Sequence, residues 1–132
     1  LDSIEGIYPL IEIHNLVFYG NEPYGAELLA NNAIHAGVVL GLETKLPTNK
    51  LETDLKLIYD NKIIDTWVNK KWPVDMLSEV NWLVKEQAKS NNYLKKGDLI
   101  LIGAYGFPVP INDKKIIEVT SSAFGGVKAI FN

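Results

Sequence analysis

Few residues in this 132-residue chain could do chemistry, and their types narrow the choice quickly. There is no cysteine, which removes thiol nucleophiles, thiolate metal sites and disulfides. No Ser-His-Asp order is present, and no glycine loop of the phosphate-binding kind. Gly103, Gly106, Gly125 and Gly126 read as turn glycines. His14 and His35 are the only imidazoles. A metal site built from both would need a strand and a loop brought together, with Glu12 as a third ligand. Solvated or capping histidines are the simpler reading. By residue type alone, Glu12 is an exposed glutamate on a strand, and Asn31-Asn32 ends a helix, since Asn tolerates left-handed backbone.

The elements that position these residues can be read from hydrophobic periodicity. Residues 8–19 read as a strand, with Ile11 and Ile13 on one face and Glu12 and His14 on the other. Pro9 sits at its start, where a missing N–H costs little. Residues 22–32 read as a short helix, with Pro23 in its first turn. AGVVLG (36–41) reads as a short buried strand, and 42–50 as a polar loop. Residues 53–67 form a predicted hairpin turning at Asp60-Asn61. The clearest helix covers 74–92, with Asp75 as N-cap after Pro73. Its apolar positions Met76, Leu77, Val80, Leu83 and Val84 fall at helical spacing. DLILIG (98–103), 115–122 and 126–131 read as further strands. Strands and helices do not alternate regularly, so a doubly wound sheet is disfavoured. The expected class is α+β: a mostly antiparallel mixed β-roll or open barrel with one long and one short helix. Its expected core is Val38, Leu40, Leu57, Val80, Leu83, Leu99, Leu101, Ile117, Val119 and Phe131.

Composition agrees with one soluble domain over 1–132, with 47% hydrophobic and 22% charged residues. A net charge of −3 and no basic stripe speak against nucleic acid. No apolar run reaches the length of a membrane helix. The N-terminus, Leu-Asp-Ser-Ile-Glu-Gly, has no initiator Met and no signal-like region, so a signal, a tag or an upstream domain is expected to have been removed.

Four stretches in order carry a family resemblance. YPLIEI (8–13) resembles a P-x-x-E-[IVL] strand, and LLANNAIHAGVVLG (28–41) a V-A-D-N-A-S-x-x-x-F-V-L-G segment. KLIYDNKIIDTW (56–67) resembles an L-x-x-N-G-x-x-V-x-x-G hairpin. The run from NWLVKEQ (81–87) through LKKGDLILIGAYGFPVPI (94–111) to FGGVKAIF (124–131) resembles the ending of the same group. That group is the 2-keto-4-pentenoate hydratase and 4-oxalocrotonate decarboxylase branch of the fumarylacetoacetate hydrolase superfamily, and this chain is similar to its C-terminal part.

The resemblance implies a fumarylacetoacetase-type roll and an enzyme using Mg²⁺ or Mn²⁺ on a small 2-oxo acid. The reaction is hydration, decarboxylation or C–C cleavage through a shared enolate, a lyase chemistry in the hydratase case. It implies Glu12 as one metal carboxylate and Asn31 and Asn32 as contacts to the substrate carboxylate. The remaining ligands, an E-x-E pair, and the family's Lys and acidic base would come from an upstream half of the protein. The resemblance also implies a cytoplasmic homo-oligomer, although the N-terminus leaves export open. Two departures favour the alternative, a non-catalytic relative serving as a binding or structural module. Ala33-Ile34-His35 replace small hydroxyl residues. TWVNKKWPVD (66–75) replaces a glycine-rich segment near the site, with bulk at Trp67 and Trp72.

Overall fold

The computed structural model describes residues 2–17, 25–112 and 115–132. In chain order the elements are β1 (Leu10–His14), α1 (Ala26–Ala30), a 3₁₀ turn (Asn32–Ile34), β2 (His35–Leu40), β3 (Leu51–Tyr59), β4 (Lys62–Trp72), α2 (Val74–Lys89), β5 (Ile116–Ser121) and β6 (Gly125–Ile130). The class is α+β. The strands form two separate antiparallel sheets, β1-β2 and β4-β3-β5-β6, which do not close into a barrel.

The β3–β4 hairpin turns where the sequence places it. Asp60 and Asn61 both have positive φ, 46° and 66°. That is the backbone of a type I′ turn, whose twist matches the strands it joins. β5 pairs with β3 from the other side and returns through β6. The return needs Gly125, whose φ of 75° would strain any residue with a Cβ. A hydroxyl cluster pins this corner. Thr53 Oγ1 lies 2.8 Å from Ser121 Oγ and 3.0 Å from Ser122 Oγ, and accepts the Ala123 N–H. Thr53 is buried, and these bonds satisfy it. Tyr59 Oη is buried without a partner among the described residues.

The small core sits where α2 leaves the sheet. Trp72, Met76 and Phe124 are its buried members, with Ile7, Leu46, Leu51, Leu77 and Ile102 packed around them. Trp72 meets Phe124 edge to face with ring centroids 5.8 Å apart, and its Nε1–H donates to the Pro47 carbonyl at 3.0 Å. Burying a side chain of this size contributes about 3 kcal/mol. The bulk at position 72 therefore holds the fold together.

Several expectations are corrected. Of the 8–19 strand, residues 10–14 form one and 15–17 do not, while 18–19 lie outside the described residues. Of the 22–32 helix, the described part is helical over 26–30, and residues 22–24, Pro23 among them, lie outside the described residues. α2 ends at Lys89, and Pro73 holds its N-cap position. Asp75 instead accepts the Lys71 N–H at 2.7 Å, tying the helix start back to β4. Residues 98–103 join no sheet, so their N–H and C=O groups have no ladder. Of the expected core, Ile117 is buried, while Leu40 and Leu99 are exposed. Val84, on the apolar face of α2, is also exposed, because the helix packs on β4 through its first half.

Candidate functional site

The β1–β2 pairing creates a cluster that joins residues singled out in the sequence. Its register sets Glu12 against Val38 and His14 against His35, with an irregularity between Ile13 and His14. Glu12 and His14 are two residues apart on one strand, so they share a face. His35, the first residue of β2, brings its ring to the same place. His35 Nδ1 lies 2.8 Å from Glu12 Oε1, and His14 Nε2 lies 3.4 Å from Glu12 Oε2. All three side chains are roughly two-thirds to three-quarters covered. The carboxylate therefore sits between two imidazoles, partly out of water.

The approach to His35 is unusual. Asn32, Ala33 and Ile34 all have positive φ, 51°, 53° and 58°. Each costs about 1–2 kcal/mol for a residue with a Cβ, and a β-branched Ile is the rarest of the three there. The run persists because both ends are held. The Ile34 carbonyl accepts the Asn15 N–H at 2.9 Å, and Asn31 closes α1 with its backbone N–H on the Glu27 carbonyl. The Asn31 side chain donates to that same carbonyl at 3.3 Å, so it serves the helix end. The Asn32 side chain is exposed at the mouth of the turn.

The residues present do not supply the shell that Mg²⁺ or Mn²⁺ takes, which is close to six oxygens. Glu12 is one carboxylate, its oxygens face imidazoles, and among the described residues no group of three or more His, Asp or Glu is placed to hold a metal ion. What the arrangement offers is a carboxylate–imidazole pair. With Glu12 accepting from Nδ1–H, His35 is left with Nε2 as its proton-accepting atom.

Bulk in 66–75 does not close this site. Trp72 is in the core, and Trp67 packs on Gly106 and, at 6.3 Å between centroids, on Tyr105. A Cβ on Gly106 would come within 2.5 Å of the Trp67 ring. Lys70 places its ammonium 4.8 Å from the centre of the Tyr105 ring. Burial and the nearby Asp75 carboxylate push the Tyr105 phenol up from its ordinary range.

A feature the sequence reading missed is a cleft of about 450 Å³ between α2 and residues 100–105. Val80, Leu83, Ile100, Ile102 and Tyr105 line it, and Trp82 and Glu79 stand at its edge. Its only signal in the sequence was a tryptophan on the polar side of a helix.

No family model, no curated protein and no solved structure matches the chain. No helix among the described residues is long and apolar enough to cross a membrane.

Proposed function

We propose that this chain contributes the proton-handling and carboxylate-contacting part of a 2-oxo acid enzyme of the 2-keto-4-pentenoate hydratase or decarboxylase type, with a fumarylacetoacetase-like roll as its finer fold. The observation that carries the reading is the convergence of Glu12 with the 31–35 segment at one end of the β1-β2 sheet. These are the two stretches that the resemblance assigns to the site, and they are separated in sequence by residues 13–30.

In this reading the Glu12 carboxylate orients His35 and stabilises the imidazolium that forms. His35 Nε2 takes the proton from the carbon beside the substrate's keto group, or returns it. Asn32 is free to donate its amide N–H to the substrate carboxylate. A bound divalent cation would polarise the keto oxygen. This chain does not by itself complete a shell for one, and no step here depends on it.

A second reading is a non-catalytic binding module. It is favoured by Trp67 and Trp72, which stand in the segment where the family has glycines and serve the fold through ring packing and, for Trp72, a hydrogen bond to Pro47.

Pyruvate, the simplest 2-oxo acid, separates the two readings. In ¹H–¹⁵N spectra of the full chain, millimolar pyruvate is expected to shift the amides of residues 10–14 and 31–40. Glu12→Gln and His35→Ala are each expected to weaken that binding about tenfold, the worth of one charge-assisted hydrogen bond. No shift in either segment, or the same shifts in both variants, would remove the enzyme reading and leave the binding module.

A further inference from the structure

The cleft between α2 and residues 100–105 shares no residue with the Glu12–His35 cluster. Its volume, about 450 Å³, falls in the range of small-molecule sites. Such sites combine an apolar body with a few polar groups that fix orientation. Here the apolar part comes from both walls. Val80 and Leu83 of α2 line it together with Ile100 and Ile102. Residues 100–105, Ile-Leu-Ile-Gly-Ala-Tyr, bring no charged group.

The charge lies on one wall and has one sign. Asp75 and Glu79 are the ionised residues of the lining, and among the described residues no lysine lines the cleft. The two acids stand four apart on α2, so they are neighbours along one face, and Trp82 follows three residues after Glu79. Asp75 is accounted for by the fold. It lies in the first turn of α2, where the helix dipole favours an acid, and it accepts the Lys71 N–H at 2.7 Å. Glu79 is not accounted for. It lies beyond the first turn, where the dipole acts little. Among the described residues its carboxylate makes no hydrogen bond and no ion pair. Like charges four apart on a helix repel, so a cation in the cleft would relieve the pair.

The aromatic residues of the lining have the same preference. Trp82, 59% exposed, and Tyr105 are its two rings. The face of such a ring attracts a cation, and indole does so most strongly. Tyr105 already takes one in this way, the Lys70 ammonium 4.8 Å from its ring centre, from outside the cleft lining.

We infer that this cleft binds a small organic ammonium ion carrying an apolar body. The hydrocarbon part lies between α2 and residues 100–102, and the cationic head lies against Glu79 and Trp82. A 2-oxo acid would meet two like charges here, so the site is separate from the Glu12–His35 cluster and does not depend on its function.

Benzyltrimethylammonium is a suitable probe, with benzyl alcohol and benzoate as neutral and anionic counterparts on the same ring. In ¹H–¹⁵N spectra of the full chain at low ionic strength, where exposed charges are least screened, millimolar probe is expected to shift the amides of residues 79–83 and 100–105. The Trp82 indole N–H should move with them, and residues 10–14 should not. Benzyl alcohol should bind several-fold more weakly, and benzoate should shift none of these signals. Glu79→Gln keeps the size of an exposed side chain and removes its charge, so the circular dichroism should not change. It is expected to weaken the ammonium ion about threefold, the worth of an exposed ion pair, and to leave benzyl alcohol unaffected. Trp82→Leu is expected to weaken the ammonium ion by about the same factor. No shift with the ammonium ion, equal affinity for all three probes, or an affinity for the ammonium ion unchanged by Glu79→Gln would overturn the inference.

Discussion

Asp60 combines three roles at the tip of the β3–β4 hairpin. It takes the left-handed backbone the turn needs, its Oδ1 accepts the Ile116 N–H at 3.0 Å, and its Oδ2 pairs with Lys115 at 3.0 Å. The Ile116 amide first, and then Lys115, hold its pKa below the usual carboxylate value. A carboxylate with a depressed folded pKa binds its proton less tightly folded than unfolded. Its contribution is therefore present above about pH 4 and fades as pH falls through the depressed value. Asp60→Asn keeps a residue that tolerates the turn but loses this linkage. Urea unfolding from about pH 2 to about pH 6 should show the variant less stable than the parent at the upper end, with the gap closing toward the lower end. A gap that is constant across that range would show that the carboxylate's charge plays no part. Asp60 was legible in the sequence as a turn residue, since a turn is a local matter. His35 was joined to Glu12 in the sequence reading only as part of a metal site that ranked behind solvated histidines. It was placed in a loop, and only the cross-strand register, set by residues far apart in sequence, brings the two within 2.8 Å.

At the scale of elements, the sequence was most readable where a segment carries its own reasons. α2 has helical periodicity, and the β3–β4 hairpin has alternation around a favourable turn, so both appear close to their expected bounds. Residues 98–103 alternate well yet form no strand, because alternation describes a face and a strand also needs a neighbour to complete its hydrogen bonds. The 3₁₀ turn before β2 was invisible for the opposite reason: nothing in Asn-Ala-Ile announces three left-handed residues. That turn makes a clear prediction. Ala33 is exposed with φ 53°, so Ala33→Gly relieves about 1–2 kcal/mol of backbone strain. It also adds roughly 0.5–1 kcal/mol of unfolded-chain entropy. The net expectation is a gain of about 0.5–1 kcal/mol by denaturant titration. A loss would mean that the turn is held by its side chain and not merely tolerated.

At the scale of the whole molecule, apolar surface left in water makes stability depend on what covers it. The core is small: among the described residues its buried cluster is Trp72, Met76 and Phe124. α2 packs on the sheet through its first half, and the cleft beside Trp82 stands open. A chain of this kind, if paired across that face, draws part of its folded stability from association. Mass action then requires that stability rise with concentration. For a dimer, each tenfold rise in concentration adds about 1.4 kcal/mol per dimer, or about 0.7 kcal/mol per chain. Over a domain of this length that raises Tm by roughly 2–4 °C. A dilution series in a scanning calorimeter should therefore show Tm climbing by that amount per decade. A Tm that holds constant across the series in the parent chain would mean that the folded state stands alone. The exposed face of α2 would then contribute nothing to its stability.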